Sequence, residues 1–443
     1  MSKNSKISSY VCSNCSATYS TWAGRCSECG QWNTLEIKSS FKSKPINTLE
    51  TKKLDSTISL LEPRLTTRIP DIDKVFGGGI VQGSVNLISG EPGMGKSTLL
   101  LQIAVAIGQN ANVLYISGEE SIHQVWSRAN RLGLKAPNLK IASTNSTDDI
   151  VHEIDQKNYS LVIIDSIQTI SSQDIGSSPG SISQVTNSAS LLANSAKQNN
   201  IAIIIVGHVT KEGSIAGPKL LEHIVDVVLS LEGDQAGNLK LLRGSKNRFG
   251  SINETAIFEM KNNGLIAVDN PSAVLLAERK VTDGSIVLAT IEGSRPILVE
   301  VQALVNKTSY GYPKRAVSGL DLGRVNLLIA MIEKRTSLNL GDKDVYVNIV
   351  GGLKISEPAA DLAIAMSICS AAKNKQLKDN AVVFGELGLS GEIRHVPYIE
   401  RRIEESQKLG FSYAIGPKIT NLKYSAFLRP VNDIKLALNQ FLS

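Results

Sequence analysis

Long apolar runs are missing from this 443-residue sequence. No stretch of eighteen or more apolar residues occurs, so no segment is long enough to cross a bilayer as a helix. Residues 1–10 are polar and lack the apolar stretch of a secretory signal. Internal repeats and low-complexity tracts are also missing. We therefore expect a cytoplasmic protein that makes no membrane contact.

Cysteine is scarce outside one cluster. Cys369 stands alone and is expected to pack in the core. The other four form two Cys-x-x-Cys pairs separated by ten residues: Cys12, Cys15, Cys26 and Cys29. In a reducing compartment such clustering favours a metal site, and four thiolates suit tetrahedral Zn²⁺, with a redox-active dithiol as the alternative. The sequence predicts a structural zinc-binding module over residues 1–36, without an open coordination position for chemistry.

The rest of the chain divides into three segments that differ in composition and in hydrophobic pattern. Residues 37–66 are rich in Lys, Ser and Thr without a clear period, which indicates a linker. Residues 67–269 alternate strand-like and helix-like stretches, the pattern of a parallel sheet wrapped by helices. Residues 270–443 mix strands with amphipathic helices. We therefore predict an α/β protein whose core domain lies between a small N-terminal module and an α+β C-terminal domain.

A glycine-rich loop follows the predicted strand 84–89 and precedes a predicted helix. Backbone N–H groups of such a loop surround phosphate oxygens. Lys96 is suited to reach the β- and γ-phosphates of ATP, and Ser97 is suited to ligate Mg²⁺. The loop fits the G-x-x-x-x-G-K-S spacing, and the predicted ATP-binding residues are Gly90, Glu91, Pro92, Gly93, Met94, Gly95, Lys96, Ser97 and Thr98.

Titratable residues follow three of the predicted strands. Asp165 ends an apolar strand, where its carboxylate is suited to hold the water shell of Mg²⁺. Glu119 is the candidate general base that polarises the attacking water, and Glu120 competes for that role. His208, just past the predicted strand 201–207, is either a sensor of the γ-phosphate or a solvated loop histidine.

Two cations, Lys246 and Arg248, leave a later strand together in the segment 246–250 (KNRFG). Cations placed this way often act across a subunit boundary, and an arginine finger contributes about 10³–10⁵ in rate. Surface charge and phosphate contacts to DNA are the open alternatives. The net charge of +6 fits contact with nucleic acid without proving it.

These features together resemble the bacterial RadA family, also called Sms, of the RecA superfamily. The resemblance covers nearly the whole chain and rests on the zinc module, residues 71–79 (DIDKVFGGG), 117–121 (SGEES) and 246–250, and the C-terminal segment. It implies a RecA-like P-loop ATPase that assembles as a hexameric ring on single-stranded and branched DNA, beside a RecA-type recombinase. The implied function is a DNA-dependent ATPase and helicase or branch-migration motor in homologous recombination and DNA repair. The alternative is an ATP-switched scaffold that loads or stabilises the recombinase.

The resemblance also implies two DNA-binding loops, at about residues 171–184 and 210–222. The second loop contains Lys211 and Lys219. Neither loop has an aromatic residue for base stacking, so we expect backbone contacts with little sequence preference and a steep salt dependence.

The C-terminal segment resembles the proteolytic domain of Lon protease, notably over residues 350–365 and 385–393. Ala359 occupies the place of the nucleophilic serine of Lon, and no lysine lies between Glu386 and Gln407. A Ser–Lys dyad needs its nucleophile, so we expect no proteolysis. We expect this domain to brace the ring and to add DNA-contacting charge through Lys314, Arg315 and Arg324.

Overall fold

A computed structural model describes residues 9–38, 63–208, 218–233, 239–309, 311–377, 380–419 and 422–442. The chain groups into two units, Met1–Leu61 and Glu62–Ser443. Most of the predicted linker lies outside the described residues, as do Lys211 and the side chain of Lys219. Within the described part of the chain, every helix is too short or too polar to cross a membrane.

The N-terminal unit contains a three-stranded antiparallel sheet in the order β2-β1-β3. Its strands are β1 (Ser9–Cys12), β2 (Thr18–Tyr19) and β3 (Leu35–Lys38). Cys12, Cys26 and Leu35 are its buried apolar side chains. So small a core does not hold a fold by hydrophobic burial alone, which is the situation in which a structural metal is needed.

A nine-stranded sheet forms the first part of the larger unit. A short pair of strands, β4 (Arg64–Leu65) and β5 (Ile80–Val81), precedes it. The nine strands are β6 (Val85–Gly90), β7 (Val113–Ser117), β8 (Leu139–Ser143), β9 (Leu161–Asp165), β10 (Ala202–His208), β11 (Val227–Gly233), β12 (Leu239–Asn247), β13 (Thr255–Lys261) and β14 (Gly264–Ala267). The helices around them are α1 (Pro70–Val75), α2 (Lys96–Ile107), α3 (Ile122–Arg131), α4 (Thr147–Gln156), α5 (Ile182–Asn199) and α6 (Pro218–Leu221). Helix α7 (Pro271–Leu276) follows β14 and packs in the C-terminal part.

The strand order is β8-β7-β9-β10-β6-β11-β12-β13-β14, and the strands from β8 to β11 run parallel. The apolar runs of β6, β9 and β10 are buried because helices cover both faces of the sheet. The remaining strands continue as antiparallel hairpins. In the last of these, Lys261 pairs with Gly264, whose φ of +110° allows a tight turn between the two strands.

The carboxyl ends of the parallel strands meet at one edge of this sheet. Gly90, at the end of β6, is in register with His208 of β10, and Ser117 of β7 is in register with Asp165 of β9. Ligands bind outside this edge in sheets of this kind. The strand predicted at 201–207 is shifted by one residue in the structure, so His208 ends β10 instead of following it.

A seven-stranded mixed sheet forms the second part of the larger unit, in the order β17-β18-β16-β15-β19-β22-β23. Its strands are β15 (Ser285–Glu292), β16 (Arg295–Lys307), β17 (Arg315–Ser318), β18 (Lys343–Ile349), β19 (Ala381–Val383), β22 (Tyr413–Gly416) and β23 (Leu428–Pro430), with the separate hairpin β20 (Glu386–Leu387) and β21 (Ile393–Arg394). The helices are α8 (Leu322–Arg335), α9 (Asp361–Lys373), α10 (Ile399–Lys408) and α11 (Ile434–Phe441). Cys369 lies fully buried on α9, where burial raises the pKa of its thiol to about 12, as suits core packing.

The two sheets share a hydrophobic core. Leu241 of β12 and Ile257 of β13 belong to the same buried cluster as the strands and helices of the C-terminal part. Arg243 of β12 also pairs with Glu292 of β15, at 2.5 Å. The predicted domain boundary after residue 269 falls just before Asn270, which caps α7. The C-terminal part is therefore packed directly against strands of the nine-stranded sheet.

Candidate nucleotide and zinc sites

The glycine loop joins β6 to α2 at the edge where the parallel strands end. Gly93 and Gly95 have φ values of +81° and +96°, which allow the backbone to curl. Among the described residues, no atom lies within 4 Å of the place where a Cβ of Gly93 would be, and no side chain caps α2 at Gly95. The loop therefore leaves open space beside Gly93, and no side chain occupies the N-terminal cap of α2, an arrangement that suits a phosphate group.

Lys96 is held inside this loop. Its side chain is only 4% exposed, and its Nζ donates to the carbonyl oxygens of Gly90 at 2.8 Å and Glu91 at 2.9 Å. Burial lowers the pKa of Lys96, whereas the carboxylates of Asp165 and Glu119 act in the opposite direction. The ammonium is thus placed between the loop and the acidic side chains, where it can bind the terminal phosphates.

The other predicted loop residues line the same turn. Pro92 is exposed together with Gly93, Met94 is buried, and Ser97 and Thr98 are partly buried on the first turn of α2. The Ser97 hydroxyl follows directly on Lys96, as the Mg²⁺ ligand of such a loop does. The predicted ATP-binding residues therefore all lie in the loop and in the first turn of α2.

Asp165 is 5% exposed at the end of β9. The hydroxyl of Tyr115, in the neighbouring strand β7, donates to its Oδ2 at 2.7 Å. Burial and the Asp165 charge raise the pKa of Tyr115 well above its usual range, so this hydroxyl stays protonated as a donor. Tyr115 was not predicted, since a tyrosine within an apolar strand gives no signal beyond core packing. The contact orients a carboxylate suited to a hydrated Mg²⁺.

Glu119 lies at the centre of a second polar cluster. Its Oε1 accepts hydrogen bonds from Ser166 Oγ at 2.6 Å and lies 3.2 Å from Nε2 of His208. Ser166 directly follows Asp165 in the chain. Its hydrogen bond to Glu119 therefore connects the carboxylate of Glu119 to the segment that carries Asp165. Sequence reasoning missed Ser166. The cluster joins the candidate base to the last residue of β10.

Glu120 is separated from this cluster. Its carboxylate pairs with Arg128 of α3, whereas Glu119 faces Ser166 and His208. Ser117 Oγ accepts the backbone N–H groups of both glutamates, which fixes the turn that sends them in different directions. The geometry therefore favours Glu119 over Glu120 as the general base.

Lys246 and Arg248 lie at the opposite edge of the sheet. Arg248 Nη1 donates to Asp226 Oδ1 at 3.1 Å, and Asp226 Oδ2 accepts from the backbone N–H of Val85 at 3.0 Å. Lys246 Nζ donates to the carbonyl oxygens of Glu222 and, at 2.8 Å, Val225. Val85 begins β6, whereas the glycine loop follows its end, about 17 Å away at roughly 3.3 Å per residue. These cations therefore do not reach the glycine loop of their own chain.

Residues 246–250 pack against residues 71–79, and both are among the segments that carry the family resemblance. Asn247 Nδ2 donates to the carbonyl oxygen of Val75 at 3.3 Å. A Cβ on Gly77, whose φ is +84°, would lie 3.0 Å from Cα of Gly250. Glycine at both positions allows this close approach, and the contact fixes the segment that carries Arg248.

The first predicted DNA loop is partly helical. Helix α5 begins at Ile182, capped by Ser181, so the loop ends earlier than the predicted residue 184. Gln184 is 2% exposed and donates to the carbonyl oxygens of Ile175 at 2.7 Å and Ser177 at 3.1 Å. Gln184 therefore shapes the loop from inside, and the exposed residues before it stay the predicted DNA contacts.

The C-terminal part carries alanine where Lon has its nucleophile. Ala359 is 2% exposed in a short 3₁₀ helix, Pro358–Ala360. Beside it, the carboxylate of Glu357 accepts from Nη2 of the buried Arg402 at 2.7 Å. Arg324 donates through Nε to the buried Asp361 at 2.9 Å, and its side chain is 41% exposed. This pairing gives Arg324 a structural role within the domain, and its contact with DNA stays a prediction.

The four clustered cysteines converge on one point. Their Sγ atoms all lie within 4.8 Å of one another, and the Cys15–Cys26 and Cys12–Cys29 distances are 3.5 and 3.7 Å. Tetrahedral zinc with Zn–S bonds of 2.3 Å requires sulfur atoms about 3.8 Å apart, so the cluster fits this ion. The backbone N–H of Cys29 and the Tyr19 hydroxyl lower the pKa of Cys26 to about 6, which favours the thiolate.

We expect Cys26→Ser to release zinc, because the side chain of Cys26 is fully buried among the other three cysteines. Loss of the metal should unfold the N-terminal module and leave ATP binding intact, since the glycine loop belongs to the other unit. Zinc content by atomic absorption and nucleotide binding are the measurements. Cys369→Ala, in the core of α9, is the matched control and should keep its zinc. Full zinc occupancy in Cys26→Ser would disprove the ligand assignment.

Three family models match separate parts of the chain. A model described as AAA domain matches residues 50–214, and one described as Rubredoxin metal binding domain matches residues 10–36. A model described as Subunit ChlI of Mg-chelatase matches residues 308–420, within the Lon-like segment. The metal-binding match coincides with the cysteine cluster, and the AAA match contains the glycine loop.

Curated relatives match nearly the whole chain. DNA repair protein RadA of Bacillus subtilis (strain 168) is 46% identical over 93% of this chain and 92% of its own. DNA repair protein RadA of Rickettsia bellii (strain RML369-C) is 45% identical over 97% of this chain and 98% of its own. The chain belongs to the bacterial RadA family. The solved structure of the RadB recombinase is also similar, with a TM-score of 0.38 and 21% identity over 46% of this chain and 100% of that one.

Membership in the RadA family confirms the fold predicted from the sequence. The chain has a RecA-like P-loop ATPase core, an N-terminal four-cysteine zinc module and a Lon-like C-terminal domain. Its cofactors are ATP, Mg²⁺ and Zn²⁺. The chain is therefore an ATPase from a family of DNA repair proteins.

Proposed function

We propose that this chain is a DNA-dependent ATPase that works as a helicase or branch-migration motor on recombination intermediates. Single-stranded and branched DNA are its substrates, a hexameric ring is its working form, and a RecA-type recombinase is its partner. The observation that carries the proposal is the hydrogen bonding of Glu119 to both Ser166 and His208. His208 ends β10, two residues before the second predicted DNA loop, so that loop follows the strand end that contacts Glu119.

The residues of the glycine loop bind and orient the triphosphate. Backbone N–H groups at the start of α2 hold its phosphate oxygens, and Lys96 exchanges the carbonyl oxygens of Gly90 and Glu91 for the β- and γ-phosphates. Ser97 and Asp165 are the residues that would hold Mg²⁺, which neutralises the charge that develops on the phosphates. Tyr115 keeps the Asp165 carboxylate in position.

Glu119 is the proposed general base. Its carboxylate accepts a proton from the attacking water, while Ser166 holds the carboxylate in place. Once the γ-phosphate has left, the charge near His208 changes, and we propose that the contact between His208 and Glu119 changes with it. Because His208 ends β10, this change would pass into the loop that follows and alter its grip on DNA.

Arg248 is the proposed arginine finger for the ATP of a neighbouring subunit. It lies at the far edge of the sheet from its own glycine loop, so a second copy of the chain has to supply the ATP that it contacts. Lys246, two residues before Arg248, is the second cation that we propose to contact the same ATP. This arrangement supports an oligomer in which each ATP site is completed by its neighbour, as a closed ring provides.

Strand displacement separates a motor from an ATP-switched scaffold. We expect the wild-type protein to displace strands from forked and three-stranded DNA in the presence of ATP and Mg²⁺. Lys96→Ala should abolish both ATP hydrolysis and displacement, because it removes the ammonium that binds the terminal phosphates. Lys135→Ala, at an exposed lysine, is the matched control and should retain both activities. DNA-stimulated hydrolysis by the wild type without displacement on either substrate would favour the scaffold.

A further inference from the structure

Two tryptophans are exposed on the N-terminal unit. Trp22 is 61% and Trp32 is 69% exposed, and they are two of the three tryptophans in the chain. An indole ring presents a large apolar surface, and leaving it in water costs the free energy that its burial would provide. The core of this unit uses neither ring, since its buried apolar side chains are Cys12, Cys26 and Leu35. Both rings are therefore open to a ligand.

The two indoles converge at Gly24. A Cβ added to Gly24 would lie 3.8 Å from Cη2 of Trp22 and 3.8 Å from Cζ3 of Trp32. Both distances are those of favourable contact between carbon atoms. A single layer of atoms at this point would therefore touch both rings at once, and a planar nucleobase is one layer of atoms thick. Because glycine has no Cβ, its own side chain does not occupy this point.

The turn that carries two of the zinc ligands holds this pair of rings. The backbone N–H of Asn33 donates to the carbonyl oxygen of Gly24 at 2.9 Å, and the N–H of Cys26 donates to that of Gln31 at 2.9 Å. These bonds close the turn between Gly24 and Asn33, and Trp32 lies at its end. The position of Trp32 therefore depends on the same backbone that the zinc ion stabilises.

Arg25 places a positive charge beside the rings. Its guanidinium carbon lies 5.8 Å from the centroid of the Trp32 ring, within the range of a cation–π contact. Its Nε donates to the carbonyl oxygen of Gly30 at 2.8 Å, which fixes the group. Proteins that bind single strands combine aromatic rings, on which bases stack, with cations that meet the phosphates. Neither predicted DNA loop has an aromatic residue, so this pair would supply the base contacts that the loops lack.

We propose that Trp22 and Trp32 bind an unpaired nucleobase, which stacks against both indoles while Arg25 contacts an adjacent phosphate. The inference rests on the proposed function, in which single-stranded DNA is a substrate, and it assigns part of the contact to the zinc module. Every base has a planar face that can stack, so the site should show little sequence preference. The zinc module thereby gains a binding role beside its structural one.

Two fluorescein-labelled ligands of equal length, an oligothymidylate and an abasic oligonucleotide, separate base stacking from phosphate contacts. The zinc-loaded full chain should bind the oligothymidylate more tightly, as measured by fluorescence anisotropy. The double variant Trp22→Ala/Trp32→Ala should bind it about tenfold more weakly, the loss expected for one stacked base, and should bind the abasic strand as the wild type does. Gly24→Val keeps both rings but fills the space that they share, so it should show the same loss.

Trp126→Ala is the matched control, because Trp126 is 57% exposed on α3 in the other unit. It should bind both oligonucleotides as the wild type does. Zinc content equal to that of the wild type shows that each variant of the module is folded.

Tryptophan emission gives a second measurement, in which neither ring is removed. In Trp126→Phe the remaining tryptophans are Trp22 and Trp32, so oligothymidylate should quench the emission and the abasic strand should not. Unchanged oligothymidylate binding in the double variant, or emission that oligothymidylate does not alter, would overturn the nucleobase site. Unchanged DNA binding together with lost binding to a RecA-type recombinase would assign the rings to a protein partner instead. A wild type that binds neither oligonucleotide would contradict the proposed function itself.

Discussion

Glu119→Gln is expected to lower ATP turnover by about 10²–10⁴-fold, the contribution of a positioned general base. The amide keeps the size of the side chain and a carbonyl oxygen that accepts from Ser166 Oγ, so the turn that carries it should keep its shape. It does not accept a proton from water at neutral pH. ATP binding should therefore survive, because Lys96 and the glycine loop are unchanged. Steady-state hydrolysis with single-stranded DNA and equilibrium ATP binding are the measurements.

Glu120→Gln is the matched control for this experiment. The two glutamates are adjacent and undergo the same chemical change, but the carboxylate of Glu120 pairs with Arg128 of α3 and is directed away from Ser166 and His208. We expect turnover close to that of the wild type. If Glu120→Gln lost activity while Glu119→Gln retained it, the assignment of the base would be reversed.

Arg248→Ala should lower DNA-stimulated hydrolysis by about 10³–10⁵-fold, as the loss of an arginine finger does, while ATP binding by the altered chain is retained. The same change removes the ion pair with Asp226, which is 3.1 Å long. Because Arg248 is about half exposed, we expect that loss to have little effect on folding. Arg131→Ala, at an exposed arginine of α3, is the control and should leave hydrolysis unchanged.

Mixing two inactive variants tests the role of Arg248 in a neighbouring site. An Arg248→Ala chain retains Lys96, and a Lys96→Ala chain retains Arg248. When subunits exchange, some ATP sites combine the intact glycine loop of the first with the intact arginine of the second. Hydrolysis should return in the mixture. Continued inactivity under conditions of demonstrated subunit exchange would contradict a contribution between subunits and leave Arg248 as a partner of Asp226.

The ATP loop could be predicted from sequence because its signals are local. Its spacing is contained in eight consecutive residues. The apolar runs predicted as strands 84–89 and 201–207 lie within one residue of the observed strands β6 and β10. The zinc ligands were predictable for the same reason. In each case, the residues that define the site lie close together along the chain.

The contacts between distant segments could not be predicted. Ser166 and Glu119 are 47 positions apart, and nothing in a serine after an apolar strand indicates which carboxylate it will meet. Arg324 pairs with Asp361, which lies 37 positions away on another helix, and nothing in the sequence indicates this pairing. The choice between Glu119 and Glu120 likewise required the position of Arg128. Pairings of this kind are fixed by tertiary packing.

Asp226 connects two parts of the chain that would contact different ATP molecules in the proposed ring. One of its carboxylate oxygens holds the first residue of β6 and the other holds Arg248, while the last residue of β6 enters the glycine loop. In the proposed ring, this fully buried strand would connect the contact made with one neighbour's ATP to the chain's own ATP. A strand bonded on both sides resists stretching. When ATP is hydrolysed in the neighbouring subunit, Arg248 would move, and β6 would transmit that movement to the chain's own glycine loop. Successive subunits of the ring would then hydrolyse ATP one after another.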